Sequence, residues 1–143
     1  MKKLISLAIV ILMVTFSMTT FAAEVTDEQL NSAMEKTIKT MKSQLPQQID
    51  IVTKLIDVEW DPQYKIFSYV YRIDYDSSDF RASKWRYMQK ELKEANIKSM
   101  CKMAKPIFKY GITLEMKYLT NDNQPVMFFL LNASDCQKKL DGI

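Results

Sequence analysis

Asp57, Glu59 and Asp61 recur at every second position, and Asp74 and Asp76 lie on a neighbouring run of alternating residues. Paired carboxylates of this kind can perform general acid–base chemistry when they flank a cleft, as in glycoside hydrolysis. They can also hold a hard cation, given several oxygen ligands and, in the calcium-loop case, a glycine-bearing turn. Neither pattern is complete, so the carboxylates are read as a solvated face that protects a strand edge. The chain has no histidine. That excludes His-based general bases, Ser-His and Cys-His nucleophile pairs and His-containing zinc sites. With two glycines among 143 residues there is no Gly-rich phosphate loop. The expectation is a protein that is not an enzyme, with no cofactor and no metal.

Cys101 and Cys136 are the two cysteines, an even number in a chain that reads as exported, and they lack a CxxC spacing. This favours a structural disulfide over a redox pair. The bridge would close a loop of about 36 residues, worth ~3–4 kcal/mol in the chain-entropy model.

Export is read from the first 22 residues, which form the predicted signal peptide. Lys2 and Lys3 precede an apolar run from Leu4 to Val14, broken by Ser6, and Thr20-Phe21-Ala22 supplies small residues for cleavage after Ala22. The run is shorter than the ~18–20 residues of a spanning helix. Residues 23–143 are then one α+β domain, exported to a Gram-negative-type periplasm or secreted, with no transmembrane span in the mature chain. Loss of Lys2 and Lys3 lowers the formal charge from +3 to +1. No attraction to nucleic acid follows.

The small total hides a division. Residues 23–80 carry net −5, residues 81–109 net +7 and residues 110–143 net −1. In the basic block Arg86, Lys90 and Lys93 share one helical face, and Lys98, Lys102, Lys105 and Lys109 share another. One reading is a solvated helix face. The other is a docking surface for an acidic partner, an anionic lipid head group or a cell-wall polymer. The candidate partner-binding residues are Arg86, Lys90, Lys93, Lys98 and Lys102, together with Tyr69 and Tyr71 from an aromatic-rich strand.

The elements that must position these residues follow from periodicity. Thr26 and Gln29 form a capping box, and Leu30, Met34, Ile38, Met41 and Leu45 make one helical stripe ended by Pro46. Ile51 to Trp60 reads as a strand with Val52, Ile56, Val58 and Trp60 on one face. Asp61-Pro62-Gln63-Tyr64 reads as a turn. Tyr64 to Tyr75 returns, with Phe67, Tyr69, Tyr71, Ile73 and Tyr75 alternating.

A second helix starts near Ser83. Met88, Leu92, Ala95 and Ser99 or Met103 continue one face, with Trp85 beside it, whereas Ile97 and Cys101 fall off it. Either the helix bends near Asn96 or two helices meet there. Pro106 suits the first turn of a short extra helix, Ile107 to Tyr110, closed by Gly111. Ile112 to Tyr118 alternates as a half-buried strand, and Asn121-Asp122-Asn123 is a turn. Val126 to Ala133 is apolar almost throughout, as in a strand covered on both faces or meeting a partner. A glycosylation sequon at Asn132 is set aside because it falls within that strand. The order α-β-β-α-β-β predicts a four-stranded antiparallel sheet with both helices on one face and one disulfide.

This layout resembles the AspS-type pilotins of bacterial type II secretion, small exported α+β domains that bind the C-terminal end of an outer-membrane secretin. The likeness runs from Met34 to Cys136. It rests on Ser43-Gln44-Leu45-Pro46 closing the first helix, two strands, a helix carrying Met100-Cys101, then Lys109-Tyr110-Gly111-Ile112, a hairpin and Cys136. Those pilotins are lipoproteins. Here Thr20-Phe21-Ala22-Ala23 carries no lipidated cysteine. The resemblance implies a soluble periplasmic binding or chaperone-like protein, accessory to a secretion or envelope assembly, whose partner is a protein of the periplasm or outer membrane. The alternative is a periplasmic inhibitor or immunity protein against a toxin or hydrolase.

Overall fold

The computed structural model describes residues 24–79 and 82–140. The predicted leader lies outside the described residues, as does the side chain of Trp85. Helix α1 spans Asp27–Lys42 and opens on the expected capping box, in which Thr26 and Gln29 exchange bonds at 3.1 and 3.2 Å. Its stripe is buried only in part: Leu30 and Met34 enter the core, while Ile38 and Met41 are half-buried.

Strands β1 (Gln47–Gln48), β2 (Thr53–Asp61) and β3 (Ile66–Ile73) pair in antiparallel fashion. Asp61 Oδ1 accepts the amides of Gln63 and Tyr64 in the β2–β3 turn. The register shifts between Leu55 and Asp57. A β-bulge changes which residues share a face beyond it. The core therefore receives Thr53 and Leu55 in place of the predicted Val52 and Ile56, while Val58 is buried as expected.

A single helix α2, Ala82–Phe108, follows and contains Pro106. Neither a second helix at Asn96 nor a separate one after Pro106 is present; Pro106 lies so near the C-terminus that few helical bonds are lost. The buried stripe of α2 is Ile97, Cys101, Ala104 and Phe108, while Ser99 of the predicted face is exposed. Gly111 takes φ +75 just past the helix, a conformation that favours glycine.

Strands β4 (Thr113–Leu119) and β5 (Pro125–Leu131) form the expected hairpin, followed by a helix α3, Ala133–Leu140. The sheet is five-stranded and mixed, in the order β1-β2-β3-β4-β5, with β3 and β4 parallel. This corrects the four-stranded antiparallel expectation. A helix as long as α2 carries the chain back to the end from which β3 started, so β4 must run beside β3 in the same direction. The α+β class, the helical layer on one face and the single disulfide stand.

Helix α3 begins where a strand was expected to continue. Asn132 Oδ1 accepts the Asp135 amide at 3.0 Å, and Asp135 Oδ2 accepts the Asn132 amide at 3.2 Å. This reciprocal cap ends the strand and starts the helix. Cys136, one turn in, is joined to Cys101 of α2. The core is the helix-facing side of the sheet: Leu55, Val58, Phe67, Leu114, Met116, Tyr118, Met127, Phe129 and Leu131 meet α1 and α2.

Candidate partner-binding groove

The helices cover the sheet unevenly. Helix α1 packs mainly on β2 and α2 on β5, and α3 packs on α2. Between them lie β3 and β4. Helix α2 runs back from the end of β3 to the start of β4, so its N-terminal half lies beside the ends of those strands, near Tyr71. Pairing of Gln47 with Leu55, and of Leu55 with Tyr71, brings the C-terminal half of α1 to the same end. Three partly covered features therefore lie towards that end: the Ile38–Met41 end of α1, the second half of β3, and the first half of α2.

The floor of this region is aromatic. Tyr69 and Tyr71 stack with ring centroids 6.2 Å apart, and Tyr71 stacks on Tyr118 at 4.8 Å. Tyr118 faces Phe129 at 6.4 Å. Cross-strand register produces the ladder, since Tyr71 pairs with Tyr118 and Tyr118 with Met127 beside Phe129. Tyr118 and Phe129 are buried, but Tyr69 and Tyr71 keep accessible surface. Their hydroxyls are nonetheless hemmed in: burial raises Tyr69 to about 12. Tyr71 is raised further by burial and then by Tyr118 and Tyr69. Tyr69 and Tyr71 are thus crowded yet still partly accessible.

The basic residues divide between two faces. Arg86, Lys90, Lys93, Lys98 and Lys102 are all exposed on α2. At ~100° per residue, Arg86, Lys90 and Lys93 fall on the same helical face as the buried Ile97, Cys101 and Ala104. The face that is core from Ile97 onward is thus basic and uncovered in the preceding turns. Lys98 and Lys102 lie ~80° or more away around the helix. The structure therefore brings Arg86, Lys90 and Lys93 to the end of the domain that carries Tyr69 and Tyr71. It leaves Lys98 and Lys102 on a separate flank.

At the mouth of this end a shallow cleft is lined by Ser77, Arg86, Gln89, Asp122, Gln124, Pro125 and Val126. Asp122 accepts the Ser77 hydroxyl at 2.5 Å and its amide at 3.0 Å. The Ser77 hydroxyl, and then Thr120, hold the Asp122 carboxyl down at about 2. Asn121 adds bonds to the Tyr75 carbonyl and to Asp74, and Arg72 reaches Asn123 at 2.8 Å. The β4–β5 turn thereby fixes the loop from which α2 departs.

The open face of the sheet offers different chemistry. Lys117 bridges Glu59 and Glu115 at 3.0 and 2.9 Å, and the Ser68 hydroxyl donates to Glu115. The Glu115 bond, followed by contacts to Glu59, raises Lys117 despite partial burial. Each charge is matched across strands β2, β3 and β4. Glu59 is thus a salt-bridge partner, as is Asp57, which pairs with Lys42 at 3.0 Å. Among the described residues no group of carboxylates or cysteines is placed to hold a metal ion, and no helix is long and apolar enough to cross a membrane.

The stripe of α1 packs on the core as the periodicity predicts, with Ile38 and Met41 half-buried at its C-terminal end.

No family model matches the chain, and no curated protein sequence matches it. Solved structures do. A Pseudomonas aeruginosa protein thought to be secreted superposes with TM-score 0.60 at 18% identity, covering 80% of this chain and 99% of that one. The type 2 secretion pilotin EpsS of Vibrio vulnificus gives TM-score 0.60 at 14% identity, covering 78% and 94%. The type II secretion pilotin AspS of Vibrio cholerae gives 0.56 at 11% identity, covering 77% and 94%. The likeness spans nearly the whole of each relative. At these identities it establishes a shared fold.

Proposed function

We propose that this chain is an exported, periplasmic, non-enzymatic binding protein, accessory to a secretion or envelope assembly in the manner of a pilotin. Its groove holds a segment of a protein partner. The carrying observation is the half-open Tyr69–Tyr71 floor, set between the apolar end of α1 and the basic, uncovered face of α2. Such a groove suits an amphipathic segment, with apolar residues on the tyrosines and acidic residues towards Arg86, Lys90 and Lys93. The pilotin fold and the leader-like N-terminus support the reading.

Affinity capture from the envelope fraction of the native host tests it. Recovery of an outer-membrane secretion component by the wild type, lost in an Arg86→Glu/Lys90→Glu/Lys93→Glu variant that keeps its circular dichroism, is the expected result. Recovery of a toxin or hydrolase whose activity is thereby blocked would replace it with the inhibitor reading. Capture of no envelope component would remove the basis for both.

A further inference from the structure

Strand β5 ends the sheet, so its side away from β4 has no strand partner among the described residues. Exposed edges are normally blunted by charge, proline or a bulge. Here the protection stops early. Pro125 has no amide to offer. Val126 is skipped by the register shift opposite Tyr118 and Leu119, and its carbonyl accepts Gln89 Nε2 at 2.7 Å. From Met127 to Leu131 nothing of the kind appears among the described residues, and all seven residues of β5 are uncharged. On the open sheet face Phe128 is 60% and Leu130 43% exposed. An uncharged edge bearing two outward apolar side chains is a template for another strand.

We propose that this edge pairs with the β5 edge of a second copy, antiparallel about a twofold axis at Phe129. Two features of the chain select that occupant and register. First, the free segment Met127–Leu131 is centred on Phe129, so this axis pairs the whole segment with itself. An axis at Phe128 or Leu130 would pair only part of it and drive the remainder against the blocked Pro125–Val126 end or the start of α3. Second, the flanking charges are self-complementary. On β4, Lys117 lies opposite Phe128 and Glu115 opposite Leu130. With the axis at Phe129, Phe128 meets Leu130 of the second copy, so each row runs Lys117, Phe128, Leu130, Glu115 across the two sheets. An axis at Phe128 would instead put Lys117 at both ends of a row, and one at Leu130 would do so with Glu115. The row ends are ~14 Å apart at ordinary strand spacing, and within each copy Lys117 is bridged to Glu115 and Glu59. The backbone bonds and the Phe128–Leu130 pairs supply the attraction, and the Phe129 axis keeps like charges out of the same row. The contact is isologous and closes on itself. Its area falls below the ~1,600 Å² of a standard interface, so the dimer is weak and reversible.

Sedimentation of the purified protein over a concentration series tests the association, and paired cysteine variants test the register. The wild type should show a reversible monomer–dimer equilibrium. Phe128→Lys, a change at an exposed position, should weaken it about tenfold or more. Phe128→Cys mixed with Leu130→Cys should give a covalent heterodimer on mild oxidation, and neither variant alone should do so. A protein that stays monomeric to submillimolar concentration overturns the proposal. So does a dimer indifferent to Phe128→Lys, or crosslinking of Phe128→Cys with itself.

Discussion

The Asp122 carboxylate accepts both the hydroxyl and the backbone amide of Ser77, 45 residues earlier in the chain. This pair ties the β4–β5 turn to the loop that launches α2. Its strength depends on Asp122 being ionised. The folded-state value is depressed to about 2 from 3.8. A depressed carboxyl stabilises the fold above its unfolded value, and that contribution disappears as pH falls from about 4 towards 2. Thermal melts taken down that range should therefore fall less steeply for Asp122→Asn than for the wild type. Parallel curves would show that the bonds to Ser77 carry no linkage.

The disulfide makes a second, larger prediction. Cys101 and Cys136 are both buried, and their bridge joins the C-terminal third of α2 to α3. With a separation of 35 residues, the chain-entropy model assigns the crosslink about 4 kcal/mol. A Cys101→Ser/Cys136→Ser protein should unfold at lower denaturant by roughly 2–4 kcal/mol. Reduced wild type should match it. Agreement between the two would show that the loss comes from the crosslink and not from the substituted side chains.

Much of this architecture was legible in the chain because local rules and tertiary packing agree there. The Thr26–Gln29 box, the β2–β3 turn at Asp61 and the hairpin at Asn121–Asn123 are each specified within a few residues. The errors arise where packing overrides pattern. The bulge after Leu55 moved Ile56 off the core face, a one-residue event with no sequence mark. In α2 two apolar stripes compete, and the one carrying Ile97, Cys101 and Ala104 is buried in the core, with Cys101 held by the disulfide. The sheet order could not be read from alternation, which is indifferent to whether neighbours are parallel. The Asn132–Asp135 cap was visible as residues but hidden by the apolar run before it. At the candidate site, Tyr69, Tyr71 and the basic residues could be picked out by type. That Arg86, Lys90 and Lys93 share an end with the tyrosines while Lys98 and Lys102 do not depends on the direction of α2 across the sheet.

The tyrosine ladder predicts behaviour at high pH. Tyr69 is raised from 10.0 to about 12 and Tyr71 is raised further, both chiefly by burial. A group raised in the folded state contributes stability that is complete below its unfolded value and is lost as pH climbs through the folded one. Phenolate absorbance should therefore show Tyr69 and Tyr71 titrating only in a late step that coincides with unfolding above about pH 10. Tyr69→Phe/Tyr71→Phe should remove that late amplitude and shift alkaline unfolding upward. Ordinary titration of all seven tyrosines in the folded protein would contradict a crowded groove floor.

The groove itself yields a prediction about rates. Arg86, Lys90 and Lys93 lie on an uncovered face at the end of the domain that carries Tyr69 and Tyr71, whereas Lys98 and Lys102 lie around the helix. Charges at the rim of a binding surface act mainly on the encounter, through long-range attraction that salt screens over ~8 Å at physiological ionic strength. Charge reversal at Arg86, Lys90 and Lys93 should therefore slow association of the captured partner segment by about tenfold or more at low salt, and much of that difference should vanish at high salt. Reversal at Lys98 and Lys102 removes a comparable charge from the same helix but from the wrong side. Its effect on association should be several times smaller. The comparison separates a directed groove from a generally basic helix, because a nonspecific attraction would respond to both sets of changes in proportion to charge. Equal effects of the two variants in surface plasmon resonance would show a general attraction to the basic helix and leave the tyrosine floor without a ligand.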